Sequence, residues 1–290
     1  MIEEIQKRLS SGGRRAPPRA TLTYLGDDSK RWKRKTANGA SNFIRSAAGH
    51  HASSQESKGF CFFNNIAVAA RHAQATHNVK RVLIVDWDVH FGDGTAEIFA
   101  EDDSVLYVSL HRFAEGFYPH TQKAAASFVG SGEGVGYTVN VAWSEEGHND
   151  DDYLLAFSRV IMPIAYEFNP ELVLVSSGFD ACGGEHVQLG DCRLSPYGFS
   201  RMMHLLGSLA NGKVIAALEG GYNIDNLMAC SEAVLATMVT GAVMDAPVEL
   251  PYKAKSFSSK TIQAIQDTIN AHASYWNCLK PFAVVTDETA

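Results

Sequence analysis

The chain has 290 residues, 46% of them hydrophobic, which is enough to bury one large core. Its net charge is −7, although the first 40 residues hold ten Lys or Arg against four Asp or Glu. The acidic remainder disfavours direct DNA binding, whose affinity comes from neutralising phosphates. The five cysteines are scattered and form no C-x-x-C pair. They therefore argue against a disulfide framework and indicate a reducing compartment.

Residues 1–40 are predicted to be a basic, poorly patterned segment, and residues 41–290 a single domain. The basic run KRWKRK (30–35) leaves two interpretations open. It suits a nuclear-import or nucleic-acid patch, although short basic runs are more often simply solvated surface. The longest apolar-rich stretch, 227–244, is interrupted by Ser231 and Glu232, which predicts a buried helix and no membrane association.

Apolar, β-branched runs alternate with helical patterns along the rest of the chain. This alternation predicts an α/β fold with three α/β/α layers, in which helices cover both faces of a central, mostly parallel sheet. In chain order, the predicted elements are helix 64–77, strands 82–86 and 105–110, helix 151–168, strand 172–177, helix 197–211, strand 214–219 and helix 225–244.

Polar groups stand at the end of each predicted strand, where open α/β sheets hold their ligands. We therefore expect these groups to converge. In chain order, they are Asp86, Asp88 and His90; Ser109 and His111; Asp180; and Glu219, Gly220, Gly221 and Tyr222.

Asp88, His90 and Asp180 suit a zinc ion with three protein ligands and an open position. The first two lie in DWDVHFGDGT, where alternate side chains share one face of an extended chain. Simpler interpretations remain, since the first two fit a cluster capping the next helix and Asp180 fits a turn aspartate.

GHHA (49–52) places two histidines together, and imidazole moves protons near neutral pH. Tyr222 follows two glycines, where a phenol is able to donate to a developing oxyanion. An ordinary half-buried turn tyrosine is the alternative. The aromatic residues are either core or the wall of a narrow channel, and the sequence does not separate Phe60, Phe62, Phe63, Phe117 and Tyr118.

Taken together, GHHA, GFCFFNN, VDWDVHFGDGT, VLYVSLHRF, PIAYEFNPELVLVSSGFDA and LEGGYN resemble the zinc-dependent histone deacetylase family, closest to its class II members. The similarity runs from about residue 42 to YWNCLK (275–280), in the family's order. It implies an arginase/deacetylase-like fold.

The resemblance also implies a role for each matching position. Zinc would be bound by Asp88, His90 and Asp180, and a structural potassium ion by Asp86, Asp88, His90, Ser109 and Leu110. The catalytic positions are the tandem histidines His50 and His51, their orienting partners Asp86 and Asp93, and the carbonyl-polarising Tyr222. The substrate-binding positions are Gly59, Phe60, Tyr118, Leu189, Gly220 and Gly221.

The activity so implied is hydrolysis of the acetyl group from the side-chain amine of lysine in proteins such as histones. The partners implied are acetylated protein tails and corepressor complexes, in the nucleus, the cytoplasm or both. Two alternatives remain. The chain would be a deacetylase of acetylpolyamines or other small amides, or a catalytically impaired module that binds acetyl-lysine and recruits partners.

Several positions depart from the family pattern. Phe91 replaces the second histidine of DVHHG, Asp93 is the class I choice where class II has Asn, and Ser46-Ala47-Ala48 replaces an arginine and two prolines. Only 49 residues precede His50, where the family has well over a hundred. We therefore expect the catalytic domain to be incomplete on its N-terminal side.

Overall fold

The computed structural model describes residues 21–24, 42–45, 48–245 and 257–284. Its strands are β1 (Thr21–Tyr24), β2 (Asn42–Arg45), β3 (Val82–Asp86), β4 (Val105–Arg112), β5 (Thr138–Trp143), β6 (Leu172–Ser177) and β7 (Val214–Leu218). They form one sheet in the order β1-β2-β7-β6-β3-β4-β5, and every neighbouring pair is parallel. The predicted parallel sheet is confirmed.

The helices are α1 (Asn65–His77), α2 (Asp93–Phe99), α3 (Asp150–Ala156), α4 (Met162–Phe168), α5 (Pro196–Leu206), α6 (Ile224–Thr240) and α7 (Ser259–His272). Side chains cap several of them at the N-terminus, as asparagine and serine commonly do. Asn64 accepts a hydrogen bond from Ala67 N, and Ser258 accepts one from Thr261 N. Gly241 ends α6 in the left-handed conformation.

Two hydrophobic clusters lie on opposite faces of the sheet, and alternate residues of β3 enter different clusters. Leu83 and Val85 join the larger core cluster, which includes side chains of α3 to α7. Val82 and Ile84 join the smaller core cluster with α1 and α2. Both faces are therefore covered, and the predicted three-layer α/β/α fold is confirmed.

The predicted helix 151–168 is interrupted. A π-helical turn, Phe157–Ile161, separates α3 from α4, and Pro163 lies in the first turn of α4. Proline has no N–H and its ring crowds the preceding turn of an α-helix. A wider π turn at this point accommodates that ring, as π bulges do within longer helices.

Some predicted boundaries were wrong. The helix predicted at 197–211 ends at Leu206, the helix predicted at 225–244 ends at Thr240, and the strand predicted at 105–110 continues to Arg112. The sequence did not predict β5, α7 or the two short strands β1 and β2.

The predicted basic segment 1–40 lies outside the described residues except for β1, and Ser46 and Ala47 lie outside them as well. Within the described part of the chain, no helix combines the length and the apolar character that crossing a membrane requires.

Candidate metal centre and active site

The predicted site residues meet at a reversal in strand order. After β3 the chain adds β4 and β5 on one side of the sheet, and then returns to place β6 on the other side of β3. Open α/β sheets bind ligands in the crevice at such a switch point. Asp88 follows β3 and Asp180 follows β6, so adjacent strands present both carboxylates to the crevice.

Asp88, His90 and Asp180 form a compact group of potential metal ligands, the metal group. One ligand atom from each lies within 4.8 Å of the others. His90 Nδ1 is 3.1 Å from Asp88 Oδ1 and 3.2 Å from Asp180 Oδ2. The structure thus brings together the three residues that were predicted to bind zinc.

The electrostatics of this group suit a divalent cation. Burial and the neighbouring Asp88 raise the pKa of Asp180 to about 6. Burial would lower the pKa of His90, but the two carboxylates beside it raise that pKa to about 10. Asp180 Oδ2 is buried beside His90 Nδ1, without a well-aligned hydrogen bond to any described residue. Two buried, facing carboxylates are costly unless a cation lies between them.

Backbone N–H groups fix the two carboxylates. Val89 N donates to Asp180 Oδ1 at 2.9 Å, and Gly220 N donates to Asp88 Oδ2 at 2.9 Å. A Cβ atom on Gly220 would collide with both carboxylates. The first glycine of LEGGYN therefore permits the chain to approach the metal group closely.

Each of the tandem histidines is paired with its predicted carboxylate. His50 Nδ1 lies 2.9 Å from Asp86 Oδ2, and His51 Nδ1 lies 2.9 Å from Asp93 Oδ1. The two imidazole rings are 4.0 Å apart, and His50 Nε2 is 3.8 Å from Asp88 Oδ1. Both histidines are buried beside the metal group.

The two imidazoles differ in their tendency to hold a proton. Burial would lower the pKa of His50, but Asp86 and Asp88 raise it well above its usual range. Burial and the adjacent His50 lower the pKa of His51 to about 4, although Asp93 opposes this. His50 therefore holds a proton more tightly than His51 does.

Two further contacts at these carboxylates were not predicted. Tyr107 donates its hydroxyl to Asp86 Oδ2 at 2.9 Å, and Lys58 Nζ lies 2.8 Å from Asp93 Oδ2. In the sequence, Tyr107 is one more β-former in an apolar strand, and Lys58 merely precedes Gly59. Neither residue lies in a sequence motif that would identify it as part of the site.

Two predicted substrate-binding residues, Tyr118 and Gly59, lie against His51. The Tyr118 ring is 4.8 Å from the His51 ring. Phe117, one of the aromatic residues that the sequence does not separate, stacks on His90 at 5.3 Å. Gly59 has a φ of +56°, and a Cβ atom there would collide with the His51 ring. These side chains form an aromatic wall beside the metal group.

The other aromatic and apolar candidates differ in their exposure. Leu189 packs against the larger core cluster, while Phe60 exposes 82% of its surface. Phe62 and Phe63 are exposed as well. The tunnel roles of Leu189 and Phe60 stay predictions.

Tyr222 stands at the rim of the site and is 59% exposed. The preceding Gly221 has a φ of +121°, which a side chain would strain, and Tyr222 N donates to Glu185 Oε2 at 3.2 Å. Burial of part of the ring, together with Asp180 and Asp88, raises the pKa of the Tyr222 phenol. It therefore keeps its proton and remains a hydrogen-bond donor.

Phe91 fills an apolar position behind the site. It is fully buried in the smaller core cluster, and its ring lies 4.9 Å from that of His111. The Asp86–His90 stretch does not cap the following helix, because the N-cap of α2 is Gly92 and no side-chain hydrogen bond caps this end of the helix. That simpler interpretation was wrong.

The predicted potassium ligands lie on adjoining strands. Asp86 pairs with Ser109 in the register of β3 and β4, and Ser109 Oγ is 2.8 Å from His111 Nδ1. The potassium site at Asp86, Asp88, His90, Ser109 and Leu110 stays a prediction.

Comparison with known proteins gives consistent matches. The histone deacetylase domain profile matches residues 29–238. Histone deacetylase 15 of Arabidopsis thaliana is 47% identical over 232 residues, or 80% of this chain and 40% of that protein. Histone deacetylase 6 of Caenorhabditis elegans is 45% identical over 241 residues, or 81% and 25%. Polyamine deacetylase HDAC10 of Danio rerio is 40% identical over 252 residues, or 87% and 36%.

A solved structure matches in the same way. The crystal structure of the HDA15 HD domain superposes with a TM-score of 0.74 at 43% identity, covering 83% of this chain and 64% of that one. The chain spans between 25% and 40% of the length of the three relatives above. From the profile match and these identities, the chain belongs to the histone deacetylase family.

Proposed function

We propose that the chain is a zinc-dependent deacetylase that removes acetyl groups from the side-chain amine of lysine in proteins, histones among them. The observation that carries this proposal is a buried Asp-His-Asp group beside two histidines, each hydrogen-bonded to its own carboxylate. A metal group next to paired imidazoles is the arrangement that hydrolysis of an unactivated amide requires.

Asp88, His90 and Asp180 would hold the zinc ion. When bound, zinc supplies a Lewis acid that polarises a carbonyl group and lowers the pKa of water towards about 7. Three protein ligands leave a position open for substrate, as in other catalytic zinc sites.

His51 is the group best placed to move protons. As a neutral imidazole it takes a proton from the water that attacks the acetyl carbonyl, and Asp93 stabilises the imidazolium that forms. The same proton then passes to the lysine nitrogen as the amide bond breaks, which releases acetate and a free amine. His50, held by Asp86, remains charged and provides an electrostatic partner.

Tyr222 is proposed to donate its hydroxyl to the oxyanion that develops on the acetyl group. The aromatic wall of Phe117 and Tyr118 gives the lysine methylenes an apolar surface to pass along. Corepressor partners and a nuclear or cytoplasmic location stay predictions.

An acetylpolyamine deacetylase is the second candidate. The 40% identity to the zebrafish polyamine deacetylase over 252 residues favours it. A polyamine carries further ammonium groups, and a carboxylate at the site has to bind them. Leu189 is uncharged, and Asp93 is already paired with Lys58 and His51. Neither group offers a free carboxylate, which favours acetyl-lysine, whereas Glu185, bonded to Tyr222 N at the rim, is the carboxylate that would favour a polyamine.

The experiment is a parallel assay of the zinc-loaded and chelated chain on a fluorogenic acetyl-lysine peptide and on a monoacetylated polyamine. We expect zinc-dependent release of acetate from the peptide at a higher kcat/KM than from the polyamine. Preference for the polyamine would establish the second candidate. No turnover of either substrate by protein that retains zinc would contradict both.

A further inference from the structure

Glu219 is a buried carboxylate whose two oxygens are both engaged. It follows β7 and is 7% exposed. Oε2 accepts hydrogen bonds from Gly49 N at 2.5 Å and from His50 N at 3.1 Å. Oε1 accepts the hydroxyl of Ser176 at 3.0 Å. Glu219 thus ties the end of β7 to a segment that is 170 residues away in sequence.

This position is a costly one for a carboxylate. Burial raises the pKa of Glu219 to about 7, and no cationic group among the described residues lies within 4.0 Å of it. A buried charge without an ion pair is tolerated only when hydrogen bonds satisfy it. The hydrogen bonds from Gly49, His50 and Ser176 therefore offset the cost of burying an acid here.

The turn that Glu219 contacts carries both catalytic histidines. Other residues bind its carbonyl groups: Thr95 N donates to His50 O at 3.0 Å, and Asn64 Nδ2 donates to Ala52 O at 3.0 Å. Glu219 alone, among the residues described, accepts from the N–H groups of Gly49 and His50. Removal of its carboxylate would leave two buried donors unsatisfied.

The same residue precedes the glycine pair that leads to Tyr222. Its neighbour Gly220 donates to Asp88 Oδ2 at 2.9 Å. We infer that Glu219 is a positioning residue that fixes the histidine turn relative to the metal group and Tyr222. This inference rests on the proposed function. Glu219 is not expected to touch the substrate, and it acts through the backbone of His50.

The test compares Glu219→Ala with Glu219→Gln. In the glutamine variant, the amide oxygen accepts from both N–H groups and the amide nitrogen donates to Ser176 Oγ. We expect Glu219→Ala to speed hydrogen exchange of the Gly49 and His50 amides about tenfold or more. Its kcat should fall roughly 10- to 100-fold, because displaced catalytic groups slow the chemical step. KM and zinc content should change little. Glu219→Gln should restore both amide protection and kcat.

Ser176→Ala and Ser177→Ala give a matched pair should Glu219→Ala fail to fold. Both serines are buried in β6, but Ser177 Oγ has no hydrogen-bond partner among the described residues. We expect the Gly49 and His50 amides to lose part of their protection from hydrogen exchange in Ser176→Ala and none of it in Ser177→Ala. Unchanged exchange in Glu219→Ala, failure of Glu219→Gln to restore protection, or equal effects of the two serine changes would overturn the inference. Hydrogen exchange needs no substrate, so an inactive wild-type chain would refute the proposed function alone.

Discussion

Lys58 Nζ lies 2.8 Å from Asp93 Oδ2, and the other oxygen of that carboxylate is 2.9 Å from the His51 imidazole. His51, the proposed base, is thus linked through one carboxylate to a surface cation. A carboxylate favours the protonated imidazole, whereas a neighbouring ammonium opposes it. The two residues therefore act on the pKa of His51 with opposite signs.

Asp93→Asn should lower the pKa of His51, and Lys58→Met should raise it. In the pH profile of kcat/KM, the limb governed by His51 should move to lower pH in the first variant and to higher pH in the second. Zinc content should stay constant, because neither residue is a proposed ligand. Profiles that superimpose on the wild type would show that Asp93 is only a turn residue.

Asp180→Ala and His90→Ala should each lose the tightly bound zinc ion, because removal of one of three protein ligands cripples a catalytic site. Elemental analysis of dialysed protein measures the ratio of metal to chain, which we expect to fall from about one to near zero. Asp267→Asn, an exposed aspartate on α7, is the control and should retain the metal. Undiminished zinc in both ligand variants would refute the assignment.

Tyr222→Phe should lower kcat by roughly 10²- to 10³-fold, the usual cost of losing one oxyanion donor. KM should change less, because the donor acts mainly on charge that develops in the transition state. Tyr166→Phe is a matched control, since Tyr166 is 58% exposed and its hydroxyl bonds to Ser208 far from the site. Normal turnover by a folded, zinc-loaded Tyr222→Phe protein would remove this residue from the mechanism.

His272 is fully buried, and burial lowers its pKa to about 4. The unfolded chain, whose histidines have pKa values near 6.5, therefore binds the proton more tightly than the folded chain. The contribution of His272 to the stability of the fold is therefore present above pH 6.5 and is lost as the pH falls towards 4.

Between pH 7 and pH 5, His272 should reduce the free energy of unfolding by about 2 kcal/mol. His272→Leu should flatten this dependence, while His77→Gln, at an exposed helix end, should leave it unchanged. Urea unfolding at several pH values measures the slope, and the metal ligands are common to all three proteins. Equal slopes in the wild type and His272→Leu would contradict the prediction.

The sequence predicts those parts of the fold whose pattern is local. β3, β4, β6 and β7 are continuous apolar runs, and such runs form buried parallel strands. β5 was missed because Asn140 interrupts it; in the fold, Asn140 Nδ2 donates to the carbonyls of Lys123 and Ala125. α7 was missed because its buried face has few apolar residues, among them Ala264, Ile265 and Ile269.

The site was predictable where residues follow strand ends or match family motifs. The structure brings Asp88, His90 and Asp180 together as expected, and it pairs each histidine with its aspartate. Lys58, Tyr107 and the role of Glu219 depend on which loops and strands meet in space. One-dimensional spacing does not contain that information, so these contacts emerged only from the structure.

The arrangement of strands also determines when in folding the site comes into being. The bond between Gly220 and Asp88 spans 132 residues of sequence, and that between Glu219 and Gly49 spans 170. Contacts of such long range form only after much of the chain has collapsed. A nascent chain that has not yet docked β7 contains every proposed ligand in its sequence but holds Asp88 without its backbone donor. On the proposed function, we therefore expect zinc to be loaded only after β7 has been synthesised and docked.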